Sequence, residues 1–244
     1  GRPTPNFQWN YTRFVSRGRY ITVCEGDDYW TDPQKLQKQV DFLEANPEYV
    51  LTYHKAKKID HSSGNVVYDE LLENQSLEYK EEELRQGPWL PLPTLCYRNV
   101  LSSLPVELFR VINSDTFLSS LLGKYGKGKL IQGISPSVYR LHEGGMWSSE
   151  AYSECLYFLY RFRRNAAKYW QRSGYNHLAD TFAQSAEKAE EKRIFALLNE
   201  RKLIQFLTYL VEVQVSNIVN LRAKRMSKIN KEVIKRLTSF LFGE

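Results

Sequence analysis

The chain has 244 residues, of which 42% are hydrophobic and 25% charged, with a formal net charge of +6. This describes a soluble globular class rather than a disordered or fibrous one, and the length suits one large domain or one domain with an appendage. No apolar run approaches the roughly 18 residues that span a bilayer, no signal-peptide pattern opens the chain, and the positive excess lies after residue 150, so two parts with different tasks are expected.

In chain order, residues 19–24 carry β-formers in weak alternation and predict a buried strand. Thr31-Asp32-Pro33 signals a helix start with proline in the first turn; Leu36, Val40 and Leu43 recur at helical spacing, and Asn46-Pro47 stops the helix. Residues 49–59 and 65–68 predict strands joined by the polar turn DHSSG. Residues 94–98 predict another strand, followed by a short helix near 99–103. A helix over 115–124 ends at glycines, and 129–141 reads as a strand broken at Pro136. Strands alternating with helices define an α/β sheet. After Trp147 the texture changes, with no proline and Gly174 alone before Gly243. Leu156, Leu159 and Phe162, then Leu203, Leu207 and Leu210, keep helical intervals. Three or four helices are expected, with breaks near 173–176, 199–200 and 226–228. The reading is an α/β domain over 1–148 and an all-helical region over 149–244.

The chemistry gathers where the first strand ends. The sequence YITVCEGDD places Glu25, Asp27 and Asp28 in four residues, and carboxylates so close repel unless a cation or a set of donors sits among them. A strand ending in acids puts them at the carboxyl edge of a sheet, where open α/β folds bind ligands. Hard oxygen ligands there suit Mg²⁺ or Mn²⁺, often together with a diphosphate. The plainer alternative is an acidic loop leading into a helix, with Asp32 as N-cap and Asp27 and Asp28 merely solvated. Cys24, Cys96 and Cys155 are odd in number and far apart in apolar contexts. They read as reduced core thiols of a cytoplasmic protein, without a zinc or disulfide framework.

The longer string GRYITVCEGDDYWTDPQKLQKQVDFLEANPEY resembles the central segment of family 2 glycosyltransferases of the GT-A fold. In that family a strand ends in an acidic metal-binding motif of the D-x-D type, followed by an aromatic residue, a proline and a helix. INSDTFLSSLLGKYGKGKLI resembles the acceptor-side segment, in which an acidic residue opens a helix, and SVYRLHEGGMWS resembles the strand and loop that close the site. Together the matches cover about residues 6–148. Family members place a strand-helix-strand-helix unit before the acidic motif. Only 24 residues precede Glu25 here, so the resemblance implies an incomplete GT-A (Rossmann-like) mixed sheet lacking most of the nucleoside-binding segment.

The resemblance implies an inverting transfer from a nucleotide-sugar donor to a hydroxyl of a glycan or lipid-linked acceptor, as in cell-surface polysaccharide synthesis. Asp115 is then the candidate general base. Glu25, Asp27 and His142 are candidate ligands of Mn²⁺ or Mg²⁺, Asp28 and Arg140 candidate donor contacts, and Trp30 and Trp147 candidate acceptor contacts. Each has a plain counterpart: a helix cap for Asp115, with Ser114 competing, a loop hydrogen bond for His142, core packing for the tryptophans, Trp89 included. His54, His61 and His177 show no partner spacing. The alternative function is a non-catalytic glycan- or protein-binding module on the same truncated scaffold. Nucleic acid is not expected as a partner, because the basic residues come without a recognition motif and with many acids between them. Residues 221–242 form a basic amphipathic pattern. It suits either the inner face of an anionic membrane, which would make the protein peripheral there, or packing on the preceding helices or a second subunit in a homo-oligomer.

Overall fold

The computed structural model describes residues 15–68, 76–145 and 149–200. Trp147, the 221–242 pattern and the expected break near 226–228 lie outside the described residues. The fold is mixed α/β with two mixed sheets. Strands β1 (Tyr20–Thr22), β2 (Tyr49–Tyr53), β5 (Glu78–Tyr79), β6 (Cys96–Arg98) and β7 (Lys127–Leu130) form one sheet in the order β1-β6-β2-β7-β5. Strands β3 (Ala56–Asp60), β4 (Val66–Tyr68) and β8 (Ser137–Leu141) form the other, in the order β4-β3-β8. β2 and β7 pair in parallel, and so do β3 and β8.

The two sheets are linked by chains that pass from one to the other. The expected strand 49–59 breaks at His54-Lys55 into β2 and β3, and the expected strand 129–141 breaks into β7 and β8. The turning point is held by buried polar groups: His54 Nε2 lies 3.2 Å from Ser137 Oγ, which also donates to the Pro93 carbonyl at 3.1 Å. Burial pushes the His54 pKa down to about 3, so the imidazole is neutral. At the start of β7, Gly126 adopts φ 153, and a Cβ there would meet the Glu48 carbonyl at 2.5 Å. Only glycine permits that approach.

Helix α1 (Lys35–Ala45) covers the first sheet, beginning two residues after Pro33. The face it buries follows its apolar spacing only in part: Leu43 is buried and Val40 packs against its cluster, as expected. Lys35, Gln39 and Leu43 are buried, whereas Leu36 is 40% exposed. Gln39 donates to the Thr94 carbonyl at 2.9 Å and Lys35 to Thr22 Oγ1 at 3.2 Å, so the donors on this face are held, while Gln39 Oε1 is buried without a hydrogen-bond partner. At its far end Arg98 donates to the carbonyls of Leu43 and Asn46, satisfying groups that a helix C-terminus leaves open.

A short helix α2 (Glu81–Arg85) follows β5, and neither element is signalled by the sequence pattern. The helix expected near 99–103 is absent; a 3₁₀ turn at Leu108–Arg110 follows that segment instead. Helix α3 (Ser114–Leu122) joins two cores. Leu118 and Leu122 pack with Val50, Leu51 and Tyr97 of the sheet, while Phe117 and Leu121 pack with Phe162, Trp170 and Phe182. The latter belong to α4 (Tyr152–Arg172) and α5 (Asn176–Asn199), an antiparallel hairpin turned at Ser173–Tyr175, where the break was expected. The change at residue 148 is thus one of secondary-structure class, and the helices beyond it share an apolar core with α3. Cys96 is buried as expected of a core thiol, but Cys24 is exposed, because the chain leaves the sheet at the end of β1. No helix among the described residues is long and apolar enough to cross a membrane.

Candidate functional site

β1 ends at Thr22, and the next residues make a tight loop in which the Asp28 N–H donates to the Glu25 carbonyl at 3.1 Å. That turn gathers Glu25, Asp27 and Asp28, whose ligand-capable atoms lie within 4.8 Å of one another. The loop is fixed to the other sheet by β8. Tyr29 and Val138 exchange main-chain hydrogen bonds of 3.2 and 2.9 Å. The Arg140 N–H donates to Asp28 Oδ1 at 2.9 Å, and its guanidinium reaches the carbonyls of Asp27 and Gly26. His142 Nε2 lies 2.9 Å from Asp27 Oδ2. Two segments more than 100 residues apart are therefore locked into one edge.

The electrostatics of the edge are unusual for carboxylates. Partial desolvation in the loop, reinforced by the charges of Asp28, Asp27 and Asp115, pushes the Glu25 pKa up to about 7, although the residue keeps an exposed surface. Burial also pushes Asp28 up to about 6, against the hydrogen bond from Arg140. Asp28 Oδ2 is buried without a hydrogen-bond partner. A buried carboxylate oxygen with no donor, beside two further carboxylates, is a site short of positive charge. The donor set fits a hard divalent cation: three carboxylates supply oxygens, and one of them has an atom otherwise unsatisfied.

The other expected site residues fall as follows. Asp115 lies in the first turn of α3 but is not its N-cap, which is Asn113. Its Oδ1 accepts from the Thr116 N–H at 2.7 Å and from Thr116 Oγ1 at 3.3 Å. Burial pushes its pKa up, opposed by the Thr116 hydrogen bonds and by one from the Trp89 side chain. Its charge is felt at Glu25 and at Tyr139, which puts it on the same side of the molecule as the acidic loop. His142, expected as a ligand, has its Nε2 2.9 Å from Asp27 Oδ2, and a side chain at Gly144 would come within 3.3 Å of its Nδ1. Trp30, expected as an acceptor platform, carries the Lys35 ammonium 4.4 Å from its ring centroid, so one face is already covered.

Two further residues belong to this edge: His61, which showed no partner spacing in the sequence, and Tyr139, which stands beside Arg140 in the SVYRLHEGGMWS segment. His61 follows β3, whose register with β8 pairs Asp60 with Leu141, so position 61 comes beside 142. Its Nδ1 is 3.5 Å from Arg140 Nη1, and its ring centroid is 6.4 Å from that of His142. Tyr139 has its pKa pushed up to about 12, first by burial and then by Asp28, Glu25, Asp27 and Asp115. Its hydroxyl stays protonated as a donor. Parallel strand pairing could have indicated His61, but nothing local to it in sequence does.

No family model matches the chain. It is 29% identical over 177 residues to uncharacterized proteins of Mycobacterium bovis and of two strains of Mycobacterium tuberculosis, the match covering 68% of this chain and 43% of each relative. The chain therefore spans less than half the length of the curated relatives it matches.

Proposed function

We propose that this chain carries the metal, base and acceptor side of an inverting glycosyltransferase of the family 2 type, with an incomplete GT-A sheet. The donor is a nucleotide sugar, and the acceptor is a hydroxyl of a glycan or glycolipid. One observation carries the reading: the buried, unpartnered Asp28 Oδ2 within a triad of carboxylates, clamped by β8 at the edge of the sheet. That arrangement is poor as a solvated loop and suitable for Mn²⁺ or Mg²⁺ with a diphosphate beside it.

A bound cation would supply charge stabilisation to the departing diphosphate. The chain's own residues do the rest. Asp115 accepts the proton of the acceptor hydroxyl as its oxygen bonds to the anomeric carbon and the bond from that carbon to the diphosphate oxygen breaks. A desolvated carboxylate with a raised pKa is a stronger base than a solvated one, and Asp115 is placed that way. Arg140 ties the acidic loop to β8 through the Asp27 and Gly26 carbonyls, and a guanidinium beside that loop supports its role as a contact for donor phosphates. Tyr139 offers a protonated hydroxyl to the same space. Calorimetry with uridine and guanosine diphosphates, with and without Mn²⁺, tests the reading. Binding that requires the metal is expected in this chain or in an N-terminally longer version of it; no heat with either nucleotide in both, with or without metal, would overturn the reading.

A further inference from the structure

The segment QGPWLPLP, residues 86–93, is pinned at both ends and holds one aromatic ring between the pins. Gly87 has φ 69, and a Cβ there would come within 3.0 Å of the Thr116 carbonyl and 3.4 Å of Ser120 Cβ, so the loop lies directly on α3. Leu90 is 1% exposed and belongs to the sheet's core. The Leu92–Thr94 turn that follows is closed by the Thr94 N–H donating to the Pro91 carbonyl at 2.9 Å. Between these anchors Trp89 is 40% exposed, and its side chain hydrogen-bonds Asp115. A tryptophan on a flexible surface loop would be unremarkable. Here a rigid backbone fixes the polar edge of the indole on one carboxyl and leaves part of the ring in water.

We infer that Trp89 is a positioning residue for Asp115 and that its open ring surface is the platform on which the acceptor's sugar ring rests. The inference deepens the proposed function and rests on it. The physical grounds are geometric. Indole has one donor, and directing it at Asp115 restricts where that carboxylate points. A pyranose presents a face of C–H groups that packs on an aromatic surface, while its hydroxyls remain free for polar partners. A ring resting on Trp89 would bring its hydroxyls to the edge where the indole meets Asp115, within reach of a base.

The test uses the full chain labelled with 5-fluorotryptophan, whose five indoles give separate fluorine resonances, Trp89 being assigned from the Trp89→Phe variant. Methyl glycosides of glucose, mannose and N-acetylglucosamine are titrated in the presence of Mg²⁺ and uridine or guanosine diphosphate. The Trp89 resonance should move saturably with at least one glycoside. Trp89→Ala should weaken that binding about tenfold, the upper end for an aromatic contact, and leave diphosphate binding unchanged. Trp89→Phe keeps a ring but no donor. It should retain glycoside binding while the carboxyl carbon of Asp115, followed by ¹³C resonance, titrates at higher pH than in the parent. If no glycoside moves the Trp89 resonance while diphosphate binds, the platform is wrong and the glycosyl-transfer reading stands. If Asp115 titrates identically in Trp89→Phe, the positioning role is wrong. Failure of diphosphate and glycosides alike would place the fault in the proposed function.

Discussion

The acidic loop at residues 25–28 and the two turns built on Asp32 and Asp60 use the same side-chain chemistry and end in opposite states. Asp32 accepts from Lys38 Nζ at 3.0 Å, from the Gln34 N–H at 2.8 Å and from the Ser135 N–H at 3.1 Å. Those bonds pull its pKa down to about 2. Asp60 accepts from Ser62 Oγ at 2.6 Å and from the Ser63 N–H and Oγ, both at 2.8 Å, and is also pulled down to about 2. Glu25 and Asp28 go the other way, to about 7 and about 6, because desolvation, partial at the exposed Glu25 and fuller at the buried Asp28, and mutual repulsion outweigh the donors they have. Carboxylates that hold the fold together are supplied with donors by their own turns. Those of the loop are left short of positive charge, which is what a binding site for a cation requires.

The sharpest way to break this contrast is to neutralise single carboxylates on each side of it. Asp115→Asn should lower turnover by at least about a hundredfold, the low end for loss of a general base, with donor affinity nearly unchanged. Initial rates of sugar transfer at saturating donor measure this; near-normal rates would reduce Asp115 to an element of the α3 first turn. Asp27→Asn should weaken metal-dependent diphosphate binding by at least about tenfold in calorimetry, since loss even of an outer partner of a metal ligand has that effect. Its melting temperature should stay close to the parent's, because the side chain is half-buried and no cavity is made. Unaltered affinity would remove Asp27 from the metal site.

The contrast also explains what could be read from the sequence. The acidic cluster was legible, because three acids within four residues follow an apolar run, and Arg140 and His142, expected beside it, do contact it. The α4–α5 hairpin was legible from its helical spacing and from Gly174, which has φ 84 at the turn. The buried face of α1 was legible only in part: Leu43 and Val40 show in the apolar pattern, while Lys35 and Gln39, which complete it, do not. β5 and α2 were missed because elements of two and five residues are too short to show a period. His61 reaches the edge of the acidic loop only through the parallel register of β3 on β8, and the docking of the Trp89 loop on α3 is likewise invisible locally. Both are long-range consequences of topology.

Lys35 extends the comparison to a buried cation. It is 1% exposed, and burial pushes its pKa from the ordinary 10.5 down to about 8, with Thr22 Oγ1 and the Trp30 ring as partners. Those partners offset only part of the desolvation cost, so Lys35→Met, which keeps the length of the side chain, should stabilise the fold by about 1 kcal/mol at pH 7 in urea unfolding. Between about pH 8 and 10.5 the unfolded chain keeps a proton that the folded chain has lost, so the parent gains stability as pH rises through that window. The advantage of Lys35→Met should shrink accordingly. A constant or growing advantage would show that the ammonium is well solvated where it lies.

The smallest effect is expected at Asp32, where the comparison is sharpest because the change resembles Asp27→Asn in every covalent respect. Asn at position 32 keeps an oxygen for the Gln34 N–H but loses the charge that pairs with Lys38. Stability at pH 7 should fall slightly, and metal-dependent diphosphate binding should not change. The pH dependence has a definite sign. A carboxylate whose folded pKa lies below the unfolded one stabilises the fold above the unfolded value and loses that contribution as pH falls through the folded value. The parent's advantage over Asp32→Asn should therefore be complete above about pH 4 and vanish near pH 2. Urea unfolding at stepped pH measures it. If Asp32→Asn impaired diphosphate binding as much as Asp27→Asn, the division between turn carboxylates and site carboxylates would fail. The acidic segment would then act as a single electrostatic unit from Glu25 to Asp32.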